Sequence, residues 1–117
     1  MNAYRQLPAI DAREIEPLLA ASKRHLILLM FSADWCMPCR LFATSLLHIQ
    51  TANRDTVRCY KIDLEKAGAW AEQWHITSLP TLCWFYDEVL IDRSLGLLPV
   101  SHLQARIDRC LQRTTAP

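Results

Sequence analysis

Phe31-Ser32-Ala33-Asp34-Trp35-Cys36-Met37-Pro38-Cys39-Arg40 joins two stretches of different period. Before it, Leu26 to Phe31 is continuously apolar and short, the pattern of a strand covered on both faces. After it, from Cys36 to about Asn53, Phe42, Leu46 and Ile49 recur on one helical stripe. A C-x-x-C pair therefore stands where a buried strand hands over to a helix. At a helix start the free backbone N–H groups and the positive end of the dipole favour an anion. A thiolate is the attacking form of cysteine, so this placement favours a reactive sulfur.

Working outward, Tyr4 to Ile10 supplies at most a short edge strand, limited by Pro8. Asp11 and Glu14 have the spacing of a helix start, and Ile15, Leu18 and Leu19 continue it. Pro17 cannot donate to the carbonyl of Arg13, so that helix is kinked or begins later than Asp11. Val57 to Ile62 reads as a second strand, and Glu65 to Trp74 as a short helix weakened by Gly68. Thr81 to Tyr86 and Val89 to Ser94 are strands joined by Asp87-Glu88, an antiparallel hairpin without the usual glycine. Pro99 suits the first turn of a last helix striped by Val100, Leu103, Ile107 and Leu111. Strand, helix, strand, helix, hairpin, helix is an α/β order: a central mixed sheet flanked by helices on both faces.

The 117 residues suffice for one domain, 1–117, with one hydrophobic core. Apolar residues make up 51%, which argues against disorder. Thirteen basic and twelve acidic residues give a net charge of +1, so nothing points to nucleic acid or to a membrane surface. The longest apolar run is far too short to span a bilayer. Met1 to Arg5 lacks the basic and apolar regions of a signal peptide. Five cysteines is an odd number, and only Cys36 and Cys39 are close in sequence. That is a poor disulfide framework, and a reducing cytoplasm with one working pair is the simpler expectation.

The pair has bland readings too. Half of a zinc site would need a second pair or well-spaced histidines, but His25, His48, His75 and His102 are scattered, so metal ligation is not expected. Two buried cysteines acting as small hydrophobes fit the strand-to-helix position poorly. The working alternative is exchange: Cys36 attacks a partner's disulfide, and Cys39 then attacks Cys36 and releases the reduced partner. Pro38 has a fixed φ and needs no hydrogen bond in a first helical turn.

The chain resembles the thioredoxin family over about residues 10–112. The resemblance rests on the opening stretch, on Lys61-Ile62-Asp63, on Trp74-His75-Ile76-Thr77-Ser78-Leu79-Pro80-Thr81, and on Gly96 before the last helix. It implies a thioredoxin fold, with Cys36 as nucleophile and Cys39 as the buried resolving thiol. It further implies that Pro80 is a cis-proline against the pair, that Leu79 offers backbone groups to an extended substrate, and that Trp35 forms an apolar rim. A glutaredoxin is a poorer match, since no paired glycines stand near a glutathione site. The implied activity is protein-disulfide reduction, with disulfide-containing clients and a thioredoxin-reductase-like electron donor. No cofactor is expected, because the electrons reside on the two sulfurs, and a monomer is expected. The rival readings are an oxidase or isomerase with the same chemistry, and a non-enzymatic binding module built on Trp35, Leu79 and Pro80.

The chain departs from the family in several places. Met30 stands where the family carries a buried aspartate with a proton-transfer role. Lys61 matches the family lysine near that carboxylate, but in sequence it has no acid to pair with; its plainer reading is a surface lysine at a strand end. Met37 replaces the usual glycine between the cysteines, at a position that influences reduction potential. Thr44 stands at a usual helix-kinking proline. Cys59, Cys83 and Cys110 read as core thiols, and Trp70, Trp74 and Trp84 as packing residues.

Overall fold

The computed structural model describes residues 6–115, so the readings made on Met1 to Arg5 lie outside the described residues. The strands are β1 (Ala9–Ile10), β2 (Leu26–Ser32), β3 (Val57–Asp63), β4 (Thr81–Tyr86) and β5 (Val89–Leu95). The helices are α1 (Ile15–Ala21), α2 (Met37–Ala52), α3 (Ala69–Gln73) and α4 (Val100–Thr115), with 3-10 turns at Ala12–Glu14 and Leu64–Lys66. The strands form one sheet in the order β1-β3-β2-β4-β5. β2 runs parallel to β3 and antiparallel to β4, and β4 runs antiparallel to β5, so the sheet is mixed as expected.

The apolar run becomes the central strand because every residue of β2 is buried. Its side chains alternate between two cores. Leu26, Leu28 and Met30 join Phe42, Leu46, Ile49, Leu103 and Ile107 from α2 and α4. Ile27, Leu29 and Phe31 face the other way, with Ile15, Leu18, Phe85 and the partly buried Trp70 and Trp74 on the side of α1 and α3. The striped residues Phe42, Leu46 and Ile49 are each fully buried, worth about 1.5–3 kcal/mol per side chain by apolar transfer. On the opposite face, the Trp74 ring lies 6.2 Å from Phe31 and 5.0 Å from Phe85.

Four local expectations are refined. The α-helix starts at Ile15, with Pro17 in its first turn, where no interior hydrogen bond is lost. Asp11 caps the preceding 3-10 turn and takes the N–H of Arg13 at 2.9 Å, so the acid spaced for Glu14 is held instead by Arg13. The helix read over Glu65 to Trp74 is divided at Gly68, whose φ of +58° only glycine adopts cheaply. Pro99 sits just before α4, and its carbonyl takes the Leu103 N–H at 3.0 Å.

The hairpin turn uses positive φ at both Asp87 (51°) and Glu88 (65°), a strained choice without glycine. Ser22, at the end of α1, holds it. The Ser22 carbonyl accepts from Asp87 N–H at 2.8 Å and its hydroxyl from Glu88 N–H at 2.7 Å.

Candidate active site

β2 ends at Ser32, and the chain turns within Ala33 to Cys36, closed by Cys36 N–H to the Ala33 carbonyl at 3.1 Å. The Arg40 guanidinium donates to the Asp34 carbonyl and ties the turn to α2. Cys36 is the N-cap of α2, in extended conformation, and Pro38 lies in the first turn where its missing N–H costs nothing. Cys39 follows one turn in. The two cysteines are joined as a disulfide with Cα atoms 5.3 Å apart. The Sγ of Cys36 also accepts the backbone N–H of Cys39 at 3.2 Å. The attacking position therefore already holds one of the orphan donors of the helix start.

Both cysteines are shielded, Cys36 at 4% and Cys39 at 2% exposure, whereas Trp35 stands out at 77% and Met37 at 57%. Leu41, one turn beyond Met37 on α2, is exposed as well. The Leu79–Pro80 peptide is cis, as the resemblance implies. Phe31 pairs with Thr81 across β2 and β4, so the antiparallel register carries Pro80 to the end of β2 that leads into the cysteines. Leu79 is partly buried and packs on the core cluster that contains Cys36 and Cys39. The Pro80 carbonyl accepts from Gly96 N–H at 2.9 Å, and Gly96 takes a φ of +78°. Leu95 and Leu97, on either side of it, are exposed. Trp35, Leu79 and Pro80 thus come from two separate segments to the same end of the sheet as the cysteine pair.

Met30 is 1% exposed and lies in the same cluster as Cys39. Beside them opens a cleft of about 560 Å³, lined by Cys39 and Met30 and also by Lys61. Lys61 pairs with Met30 in register, so both project from the same sheet face. Asp11 and Asp63 line that cleft too, though neither is ion-paired with Lys61. Asp63 was legible only as part of the Lys61-Ile62-Asp63 match. Its place on Lys61's face follows from strand alternation, and its place near Cys39 follows from the register Ser32↔Asp63.

The remaining thiols have a different setting. Cys59 is buried in β3, and burial pushes its thiol up to about 12. Cys83 is buried in β4; burial pushes it up to about 11, against a smaller opposing pull from the Arg93 charge and hydrogen bond. Cys110 is buried on the inner side of α4. Trp84 is fully buried beneath the Arg106 guanidinium, 5.1 Å from its ring centroid. Among the described residues, no group of three or more His, Cys, Asp or Glu is placed to hold a metal ion. No helix among them is long and apolar enough to cross a membrane.

The thioredoxin family model matches residues 10–109, which span the sheet, the cysteine pair and the cis-proline. The chain belongs to the thioredoxin family. It is 38% identical over 86 residues to thioredoxin Y2, a chloroplastic protein of Arabidopsis thaliana, covering 74% of this chain and 52% of that one. It is 38% identical over 72 residues to a thioredoxin of Chlamydia trachomatis, covering 62% of this chain and 70% of that one. The chain thus spans about half the length of the plant relative. Among solved structures it is similar to Fasciola hepatica thioredoxin, with a TM-score of 0.77 at 27% identity, covering 88% of this chain and 98% of that one. This is the thioredoxin fold, a mixed five-stranded sheet flanked by helices.

Proposed function

We propose that this chain is a thiol:disulfide oxidoreductase that reduces protein disulfides through Cys36 and Cys39. One observation carries the reading: the pair bridges the N-cap and first turn of α2, with the Cys39 N–H directed at the Cys36 sulfur. Once the pair is reduced, that N–H and the helix dipole favour a Cys36 thiolate. The thiolate attacks one sulfur of a client disulfide. A Cys36–client bond forms, and the other client sulfur leaves with the electron pair. Cys39, deprotonated, then attacks Cys36 Sγ; the Cys36–Cys39 bond forms and the client departs as a second thiolate. The protein ends oxidised and the client reduced, so each cycle needs a dithiol donor of the thioredoxin-reductase kind.

The exposed Trp35 and the cis Leu79–Pro80 peptide support a role in holding an extended client segment, by backbone pairing at Leu79. Disulfide-containing proteins are the client class, and the working unit is a monomer. A reducing, cytoplasmic setting suits free thiols such as Cys59 and Cys83 in the core.

Insulin reduction with dithiothreitol as donor tests this. The wild-type chain is expected to accelerate insulin precipitation, and Cys36→Ser to fall to background. Equal rates for the two would favour a non-enzymatic binding module. Equilibration against glutathione buffers places the potential: a value near about −270 mV marks a reductase, and one near about −180 mV the oxidase or isomerase reading.

A further inference from the structure

Resolution by Cys39 must remove a proton from a thiol that is 2% exposed. The cleft that Cys39 lines gives that proton somewhere to go. Its floor is built from two register pairs, Met30↔Lys61 and Ser32↔Asp63, which share the sheet face beneath the first turns of α2. Ser32 is small, so the floor opens where a larger side chain would close it. At about 560 Å³ the cleft is roomy enough for several waters, and its walls offer them polar partners.

We propose that Asp63 is the proton acceptor for Cys39, reached through water in this cleft, in the role that Met30 cannot fill. The inference rests on the dithiol reading above and names the route that its second step requires. Lys61 shares the floor, but an ammonium only donates. The Asp11 carboxylate is tied to the Arg13 side chain at 2.9 Å, which holds it below the usual carboxylate range. Glu14 lines the cleft as well, and Asp34 with Arg40 line it from the α2 side; all three are exposed. Glu65 and Lys66, on the turn that Asp63 caps, are exposed as well. Asp63 is partly buried, lies on Cys39's side of the sheet, and is held in place by the Glu65 N–H at 2.8 Å.

In this scheme the Cys39 S–H bond breaks and its proton passes through water to the Asp63 carboxylate. The Cys39 thiolate electron pair forms the new bond to Cys36. The pair of the broken Cys36–client bond leaves on the client sulfur, and Asp63 returns its proton to solvent.

The test is a stoichiometric reaction of the reduced protein with a small aromatic disulfide whose thiolate absorbs in the visible. Attack by Cys36 releases the first thiolate; resolution by Cys39 releases the second. Asp63→Asn keeps the turn cap, since asparagine caps as aspartate does. It is expected to leave the first phase unchanged and to slow the second about tenfold at neutral pH, with the gap closing as hydroxide takes over at high pH. Glu14→Gln removes an exposed charge from the same cleft and is expected to leave both phases as they are. An unchanged second-phase pH profile in Asp63→Asn overturns the proposal, and so does equal slowing by Glu14→Gln, which would mark a general field effect. Selective slowing of the second phase in Lys61→Met with none in Asp63→Asn would overturn the assignment to Asp63. A missing first phase in the wild type would sink the dithiol reading itself, a separate outcome from these.

Discussion

Cys36 and Cys39 differ from Cys59 and Cys83 in one respect that decides their chemistry. All four are buried by residue exposure. The first pair stands at the start of α2, where a backbone N–H already points at sulfur. The others sit within β3 and β4, where the backbone N–H of Cys59 is spent on the Gln50 side-chain oxygen at 2.6 Å rather than on sulfur, and burial raises the two thiols to about 12 and about 11, the second against a smaller pull from Arg93. Shielding by itself makes a cysteine inert; shielding at a helix N-terminus keeps a stabilising partner for the anion. The fold thus sorts its cysteines by place rather than by exposure.

The sharpest way to break the comparison is to exchange serine for cysteine at each place. Cys36→Ser should abolish insulin reduction, whereas Cys83→Ser should keep kcat within about twofold of wild type, because no step passes through that thiol. A large loss of kcat in well-folded Cys83→Ser would mean that the strand thiol takes part. Alkylation offers the next largest contrast. With the protein reduced at pH 8, iodoacetamide should label Cys36 at least about 1000-fold faster than Cys59, whose thiolate fraction at a pKa of about 12 is about one in ten thousand. Peptide mass spectrometry reads the two rates directly.

Alkaline stability sharpens the comparison further. On unfolding, Cys59 and Cys83 return to the ordinary value of 9.0. Above that pH the unfolded chain sheds thiol protons that the folded chain retains, so the unfolded state binds fewer protons and stability falls as pH rises. The stabilisation is complete below about pH 9 and is lost progressively toward about 11 for Cys83 and about 12 for Cys59, at up to about 1.4 kcal/mol per pH unit per thiol. Urea unfolding of wild type and Cys59→Ala at pH 8 and pH 10.5 should show a steeper fall for wild type; parallel falls would refute the burial account. A last contrast is Cys59→Ser at neutral pH. It places a stronger hydrogen-bonding group among Leu28, Val57 and Leu46, and should cost about 1–3 kcal/mol in urea midpoint terms.

Much of this was legible in the sequence because it depends on period. The apolar run gave β2, the Phe42–Leu46–Ile49 stripe gave the buried face of α2, and the cysteine spacing placed both sulfurs at its start. What escaped depends on partners distant in the chain. The Asp87–Glu88 turn is held by Ser22, and no local pattern announces that contact. The break at Gly68 follows from a positive φ that glycine permits but does not reveal. Asp63 drew attention only as part of a motif. Its place in the cleft that Cys39 also lines comes from the register that sets Ser32 beside it, and a single-residue slip would have turned it to the other face.

The central claim is that Cys36, and no other sulfur, meets the client. Reduced Cys39→Ser, mixed with insulin and quenched in acid, should accumulate a mixed disulfide. Mass spectrometry of the digest should place the insulin adduct on Cys36, with Cys59 and Cys83 unmodified. An adduct on either strand cysteine, or none at all, would contradict the account.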